Sequence, residues 1–216
     1  MDEALKVREF WFGKPWTGSL PSQGDPASRA QSLRRRASLW FESDPQLVRQ
    51  RDELIRSEFL DLVERAARGV LDGWADSPRR RLSLIILLDQ FPRQIYRGTA
   101  RAFAYDEQAL GLALSGMQSA ADGALNVVER IVFYLPLQHA ESLEVQDESV
   151  AAYKRLVTET PAELRATMEN ALESAQEHRE LIRQFGRFPH RNHLLGRSNT
   201  PEEEAYLKGN PQSFGQ

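Results

Sequence analysis

The chain contains no cysteine among its 216 residues. Disulfides and thiolate-based zinc or iron–sulfur centres are therefore excluded, and the absence agrees with a reducing cytoplasm, the expected location. Long apolar runs are also missing. The longest aliphatic stretch, Leu84–Leu88, is far too short to span a bilayer, so no membrane insertion is expected. The opening MDEALKVREFWFGK is mixed in charge and lacks an apolar core, so no export signal is expected either. Nor is there a surplus of basic charge. A net charge of -3 and a pI near 5.9 disfavour nucleic-acid binding, which needs a basic face. Finally, no Gly-rich phosphate loop, Gly-x-Ser-x-Gly or HExxH is present. No cofactor is expected, and the reaction type, if there is one, stays open.

What is present is helical period. Asp44-Pro45 and Ser77-Pro78 each pair a cap residue with proline at the first helical position. Thr160-Pro161-Ala162-Glu163 and Thr200-Pro201-Glu202-Glu203 add a Glu three residues after the cap hydroxyl, the pattern of a capping box. With Asp106 and Ser142 these starts predict helices over 45–72, 78–95, 106–119, 142–158, 161–185 and 201–208, and shorter ones over 3–12, 27–41 and 125–138. RLSLIILLDQ is the ambiguous stretch, because a short apolar run also suits a buried strand. Its Ser-Pro start and leucine content favour helix. Residues 13–25, with three glycines and two prolines, read as a loop. Nothing else divides the chain, so 1–216 is expected to form a single all-α domain of about eight or nine helices packed as antiparallel neighbours. The arginine runs Arg34–Arg36 and Arg79–Arg81 read as solvated faces, and REFWF near the N-terminus as internal packing.

Some polar residues fall where the helical phase demands apolar ones. One stripe runs Val48, Asp52, Ile55, Phe59, Leu62, Ala66, Val70; a second Leu143, Gln146, Val150, Tyr153, Val157; a third Leu164, Met168, Ala171, Ala175, His178, Ile182, Phe185. Asp52, Gln146 and His178 thus face inward and need partners, since an unpaired buried polar group is costly. Candidate partners lie where proline interrupts helices: Asp89, Gln90, Arg93 and Arg97 around Pro92, and His139 and Glu141 after Pro136. A third supply is QFGRFPHRNHLLGR, residues 184–197, which holds three arginines and two histidines and no acid. In this site loop, 186–199, Phe188, Leu194 and Leu195 are expected to enter the core. Arg187, His190, Arg191 and Asn192 are expected to point toward a pocket edged by Asp89–Arg93 and His139–Glu141. Singly, each polar residue also admits a purely structural role. All four histidines, however, lie in or beside these segments.

LDQFPRQIYRGTARAFAYD, FYLPLQHAE with Gln146 following, and HRELIRQFGRFPHRNHLLGRSNTPEEEAYL resemble the bacterial family called domain of unknown function 924, over nearly the whole chain. The resemblance implies a tetratricopeptide-like helical fold and no reaction. The family pattern falls on Asp52, Trp74, Asp89, Gln90, Arg93, Arg97, Gly98, Pro136, His139, Glu141, Gln146, His178, Gly186, Arg187, Pro189, His190, Arg191, Asn192, Gly196 and Arg197. Arg51, Gln94 and Ala140 depart from it, standing where the family has an aromatic residue, Asn and Ser.

Four functions suit these residues. In the first, Arg93, Arg97, Arg187, Arg191 and Arg197 bind a small anion or a peptide carboxylate, with Asp52, Asp89 and Glu141 holding some of the guanidinium groups. In the second, a hydrolase-type enzyme uses His178 or His139 as base, oriented by Asp89 or Glu141. A metal site from His139, Glu141, His178 and His190 lacks a tight ligand pair and is disfavoured. The fourth, a protein-interaction scaffold, rests on fold analogy. A closed polar cavity would favour a small ligand, and an open groove a peptide. Oligomeric state is not readable.

Overall fold

A computed structural model describes residues 2–13 and 44–209. Eight α-helices and no strand are found among them: α1 Glu3–Phe12, α2 Pro45–Ala67, α3, α4 Asp106–Gln118, α5 Val127–Gln138, α6 Leu143–Glu159, α7 Arg165–Phe185 and α8 Pro201–Gly209. Helix α3 has three parts, Pro78–Ile85, a π-helical turn Ile86–Gln90, and Phe91–Ile95. The expected helix 27–41, most of the loop 13–25 and the run Arg34–Arg36 lie outside the described residues.

The starts follow from capping chemistry, with exceptions. Asp44 accepts from Gln46 and Leu47 N–H groups and Pro45 fills the next position. At 160–163 the expected capping box does not form. Thr160 donates its hydroxyl to Leu156 O at 2.5 Å instead, and a 3₁₀ turn, Ala162–Leu164, precedes α7. The box at 200–203 does form, with Thr200 N donating to Glu203 at 2.7 Å and Glu203 N to the Thr200 hydroxyl at 3.2 Å. A further box, Asn126 with Glu129, opens α5 and was not read from sequence. Helix α2 ends at Ala67, so Val70 lies beyond it and is 61% exposed rather than inward. Leu143 is likewise exposed, as the first residue of α6.

Consecutive helices pack against one another, α6 on α7 and α5 on α6 most extensively, and α1 lies on the first part of α3. Such neighbour packing suits any helical meander and does not single out a tetratricopeptide-like array. Apolar side chains from α1 to α7 meet in one core, and Leu181, Ile182 and Phe188 form a smaller cluster beside Phe185 and Tyr206. The aromatic residues of REFWF pack inward: the Phe10 ring lies 4.9 Å from Phe59 and 5.9 Å from Phe91. Arg79–Arg81 is not wholly a solvated face. Arg81 is half-buried and donates to Ala75 O, Leu112 O and the Ser115 hydroxyl.

Candidate functional site

The site starts at the π turn of α3. Pro92 has no N–H and its ring collides with a regularly placed carbonyl one turn earlier. The chain resolves this with one wide turn, in which Phe91 N–H donates to Ile86 O, five residues back. Such π turns recur at functional sites. This one turns Asp89 and Gln90 inward with Arg93 one turn on, and all three are buried. Asp89 Oδ1 lies 2.7 Å from His139 Nδ1 and 3.5 Å from an Arg93 nitrogen, and the Gln90 amide donates to Oδ2. Arg93 also donates to Asp89 O at 2.8 Å and grips both oxygens of Asp106 at 2.9 and 3.1 Å. Burial pushes the Asp89 carboxyl up, but His139 and Arg93 together with the hydrogen bonds outweigh it and hold it down at about 2.

Three further elements converge on His139. Burial, helped by Arg93, pushes its imidazole below the ordinary 6.5 against the pull of Asp89. At neutral pH the ring is therefore uncharged, with Nδ1 donating to the carboxylate and Nε2 left as the basic nitrogen. On α7, His178 stands with its ring centre 6.3 Å from that of His139, and its Nδ1 faces Ser174 O at 2.7 Å. Burial, then the proximity of His139, depresses it to about 4. The Ser174 hydroxyl donates to the Gln138 amide oxygen at 3.3 Å, and on α6 the Gln146 amide donates to Gln138 O and Ala140 O.

The site loop is fastened from below. Gly186 ends α7 in the left-handed region at φ 69°, with its N–H on Ile182 O at 2.8 Å. Phe188 is wholly buried and Leu194 packs on the core, whereas Leu195 is exposed, contrary to expectation. Glu141 receives Phe188 N–H at 2.9 Å and both ends of Arg197, so it holds the loop rather than a histidine. Arg191 alone among the loop arginines enters the site. It donates to His139 O at 3.2 Å and Asp106 at 3.3 Å, and its guanidinium lies 4.6 Å from the Phe103 ring centre and 4.5 Å from that of Phe188. Burial, then repulsion from Arg93, lowers it to about 10. His190 stacks beside Phe188 at 5.6 Å and is driven to about 3 by burial and Arg191. Arg187 and Asn192 turn the other way, onto Glu203. This departs from the expected inward pointing of Arg187 and Asn192, because the capping acid Glu203 is also a buried counter-charge.

Asp89, Gln90, Arg93, His139, Gln146, His178 and Arg191 are thus joined through shared hydrogen bonds and ring contacts. Asp52 is engaged elsewhere, by Arg97 at 2.6 and 3.2 Å and by Arg51 at 3.5 Å. The metal set is not assembled: among the described residues no group of three or more His, Asp or Glu could hold an ion. Asp106 belongs to the site, although its sequence context marks it only as a helix start. Its partners are 13 and 85 residues away, and no local pattern marks such a carboxylate. An open groove between α6 and α7, lined by Asp147, Val150, Lys154, Gln176 and Arg179, contains none of these residues.

The family described as "Bacterial protein of unknown function (DUF924)" matches residues 7–210. A solved structure of a protein of unknown function from Agrobacterium tumefaciens is similar at 34% identity, with a TM-score of 0.68, covering 86% of this chain and 100% of its own. No curated protein matches. No helix among the described residues is long and apolar enough to cross a membrane.

Proposed function

The chain belongs to the bacterial DUF924 family, whose description names no reaction, and we propose from its site that it is an acid–base enzyme of hydrolase type, with His139 as general base and Asp89 as the carboxylate that orients it. The observation that carries this reading is the 2.7 Å contact from His139 Nδ1 to a fully buried Asp89. A carboxylate on Nδ1 selects the tautomer whose Nε2 accepts a proton, and it stabilises the imidazolium that results. Perturbed titratable groups gathered in one buried cluster point the same way. His178 and Arg191 flank the base and would touch the substrate or the charge that develops on it.

A second reading, binding of a small anion or peptide carboxylate, is favoured by Arg191, a buried guanidinium whose Nε has no hydrogen-bond partner among the described residues. Charge counting weighs against it. Asp89, Asp106, Glu141 and Glu203 are matched by Arg93, Arg191, Arg197 and Arg187, so no net positive charge is left for an anion.

The test is turnover of a panel of carboxylic esters, amides and phosphate esters by the parent and by His139→Gln and Asp89→Asn. For any substrate found, both variants should lose on the order of 10²–10⁴-fold. Because the base must be neutral, the parent rate should rise with pH through a value below 6.5 and be flat at neutrality. Unchanged turnover in His139→Gln would sink the proposal. A parent that turns over nothing, yet melts higher with phosphate or a carboxylate, would favour the second reading.

A further inference from the structure

Helix α5 stops at Gln138, so the carbonyls from its end onward have no helical N–H to receive. The Gln146 amide nitrogen donates to Gln138 O at 2.7 Å and to Ala140 O at 2.9 Å, the carbonyls on either side of His139. His139 O between them accepts from Arg191 at 3.2 Å. All three carbonyls from 138 to 140 are therefore held by side chains, brought from α6 and from the loop after α7.

An ordinary helix end needs much less. A left-handed glycine or water satisfies such a terminus at the surface, whereas Gln146 is wholly buried and its Oε1 has no hydrogen-bond partner among the described residues. The amide cannot reverse to satisfy that oxygen, because reversal would set it against two carbonyl oxygens. A buried acceptor left unmade opposes folding, so simple capping is a poor account of the residue. What the arrangement achieves is a fixed backbone on both sides of one imidazole.

We propose that Gln146 is a positioning residue for His139: by fastening the carbonyls of the residues before and after it, Gln146 keeps the ring Nδ1 on Asp89 and aims Nε2 at the substrate. Supporting groups of this kind set the precision of the group they hold. The inference rests on the reading of His139 as the base, but its effect on the ring is measurable without a substrate.

The measurement uses Gln146→Met, which keeps the bulk and removes the donors, and Gln146→Asn, one methylene too short to reach both carbonyls. Ser149→Ala, one turn along the same face and equally buried, is the control; its hydroxyl has no hydrogen-bond partner among the described residues. Imidazole ¹⁵N–¹H spectra follow the Nδ1 proton and the titration of His139, and mass spectrometry follows its modification by diethyl pyrocarbonate. In Gln146→Met the His139 Nδ1 proton should exchange about tenfold faster or more, as local opening increases. Its titration should shift from the parent's, since burial, Arg93 and the Asp89 contact all act on the ring. Ser149→Ala should match the parent in exchange, titration and modification. Gln146→Asn should lie between, and it carries the test if the Met variant does not fold. A folded variant of lowered melting temperature whose His139 exchange, titration and modification rate equal the parent's would reduce Gln146 to a helix cap and overturn the proposal. Failure of the base reading would appear elsewhere, as unchanged turnover in His139→Gln, and would leave these ring signals where they are.

Discussion

Arg191 and Asp106 show how little a side chain's identity says about its energetic role. If the site loop serves only structure, Arg191→Ala is expected to strand a buried carboxylate, a loss on the order of 3–5 kcal/mol, and if it binds an anion the variant is expected to stay folded. Asp106 in fact keeps a two-pronged partner in Arg93, so no charge is stranded. The variant should lose the contact to His139 O and the packing between Phe103 and Phe188, about 1–3 kcal/mol. Urea unfolding of Arg191→Ala checks this, and a loss above about 5 kcal/mol would show that Arg93 cannot satisfy Asp106 alone. Removing Arg93 instead should cost more, because it serves Asp89 and Asp106 together.

Among the elements, α4 is held close to its neighbours by one glycine. A Cβ at Gly116 would lie 2.6 Å from the Phe133 ring of α5 and 2.9 Å from Arg81 of α3. Alanine normally improves a helix interior by about 1 kcal/mol. Here the clash with a fully buried ring should reverse the sign, and Gly116→Ala should be destabilised by about 1–3 kcal/mol in urea unfolding. A stabilised variant would mean that Phe133 has room to move. The caps make a second comparison. Thr200→Ala should cost about 1 kcal/mol, since it releases Glu203 N–H at the start of α8. Thr160 caps the opposite kind of end: its buried hydroxyl donates to Leu156 O, one of the last four carbonyls of α6, while its own N–H goes to Val157 O, so Thr160→Ala should cost about as much; a negligible loss in urea unfolding would refute this.

For the whole molecule the buried charges dictate a response to acid. His178 and His190 sit at about 4 and about 3 in the fold, against 6.5 for a free imidazole. Between pH 6.5 and 4 the unfolded chain therefore binds protons that the folded chain refuses, and stability falls as pH falls. Below that, Asp89 at about 2, with Glu141 and Glu203 also lowered, continues the loss in the same direction. From pH 7 to 4.5 the unfolding free energy should drop on the order of 5 kcal/mol, read from urea midpoints. A flat profile over that range would show that the histidines are hydrated and not held neutral by burial.

Helix placement was legible because it rests on interactions within four residues. Apolar period and proline starts predicted 78–95, 106–119 and 142–158, and α3, α4 and α6 fall there within a residue or two. Inward phase likewise marked Gln146 and His178 before any contact was known, both now buried. Pairing was not legible. Arg187 and Arg191 are four residues apart with the same chemistry, yet one closes on Glu203 and the other on Asp106, 85 residues away. Nor does any local signal separate Asp52, bonded to Arg97, from Asp89, bonded to His139. Residues close along the chain specify a helix and the side it buries; which charge meets which is decided only when helices distant in sequence exclude water from the same space, where each carboxylate takes the nearest donors left to it.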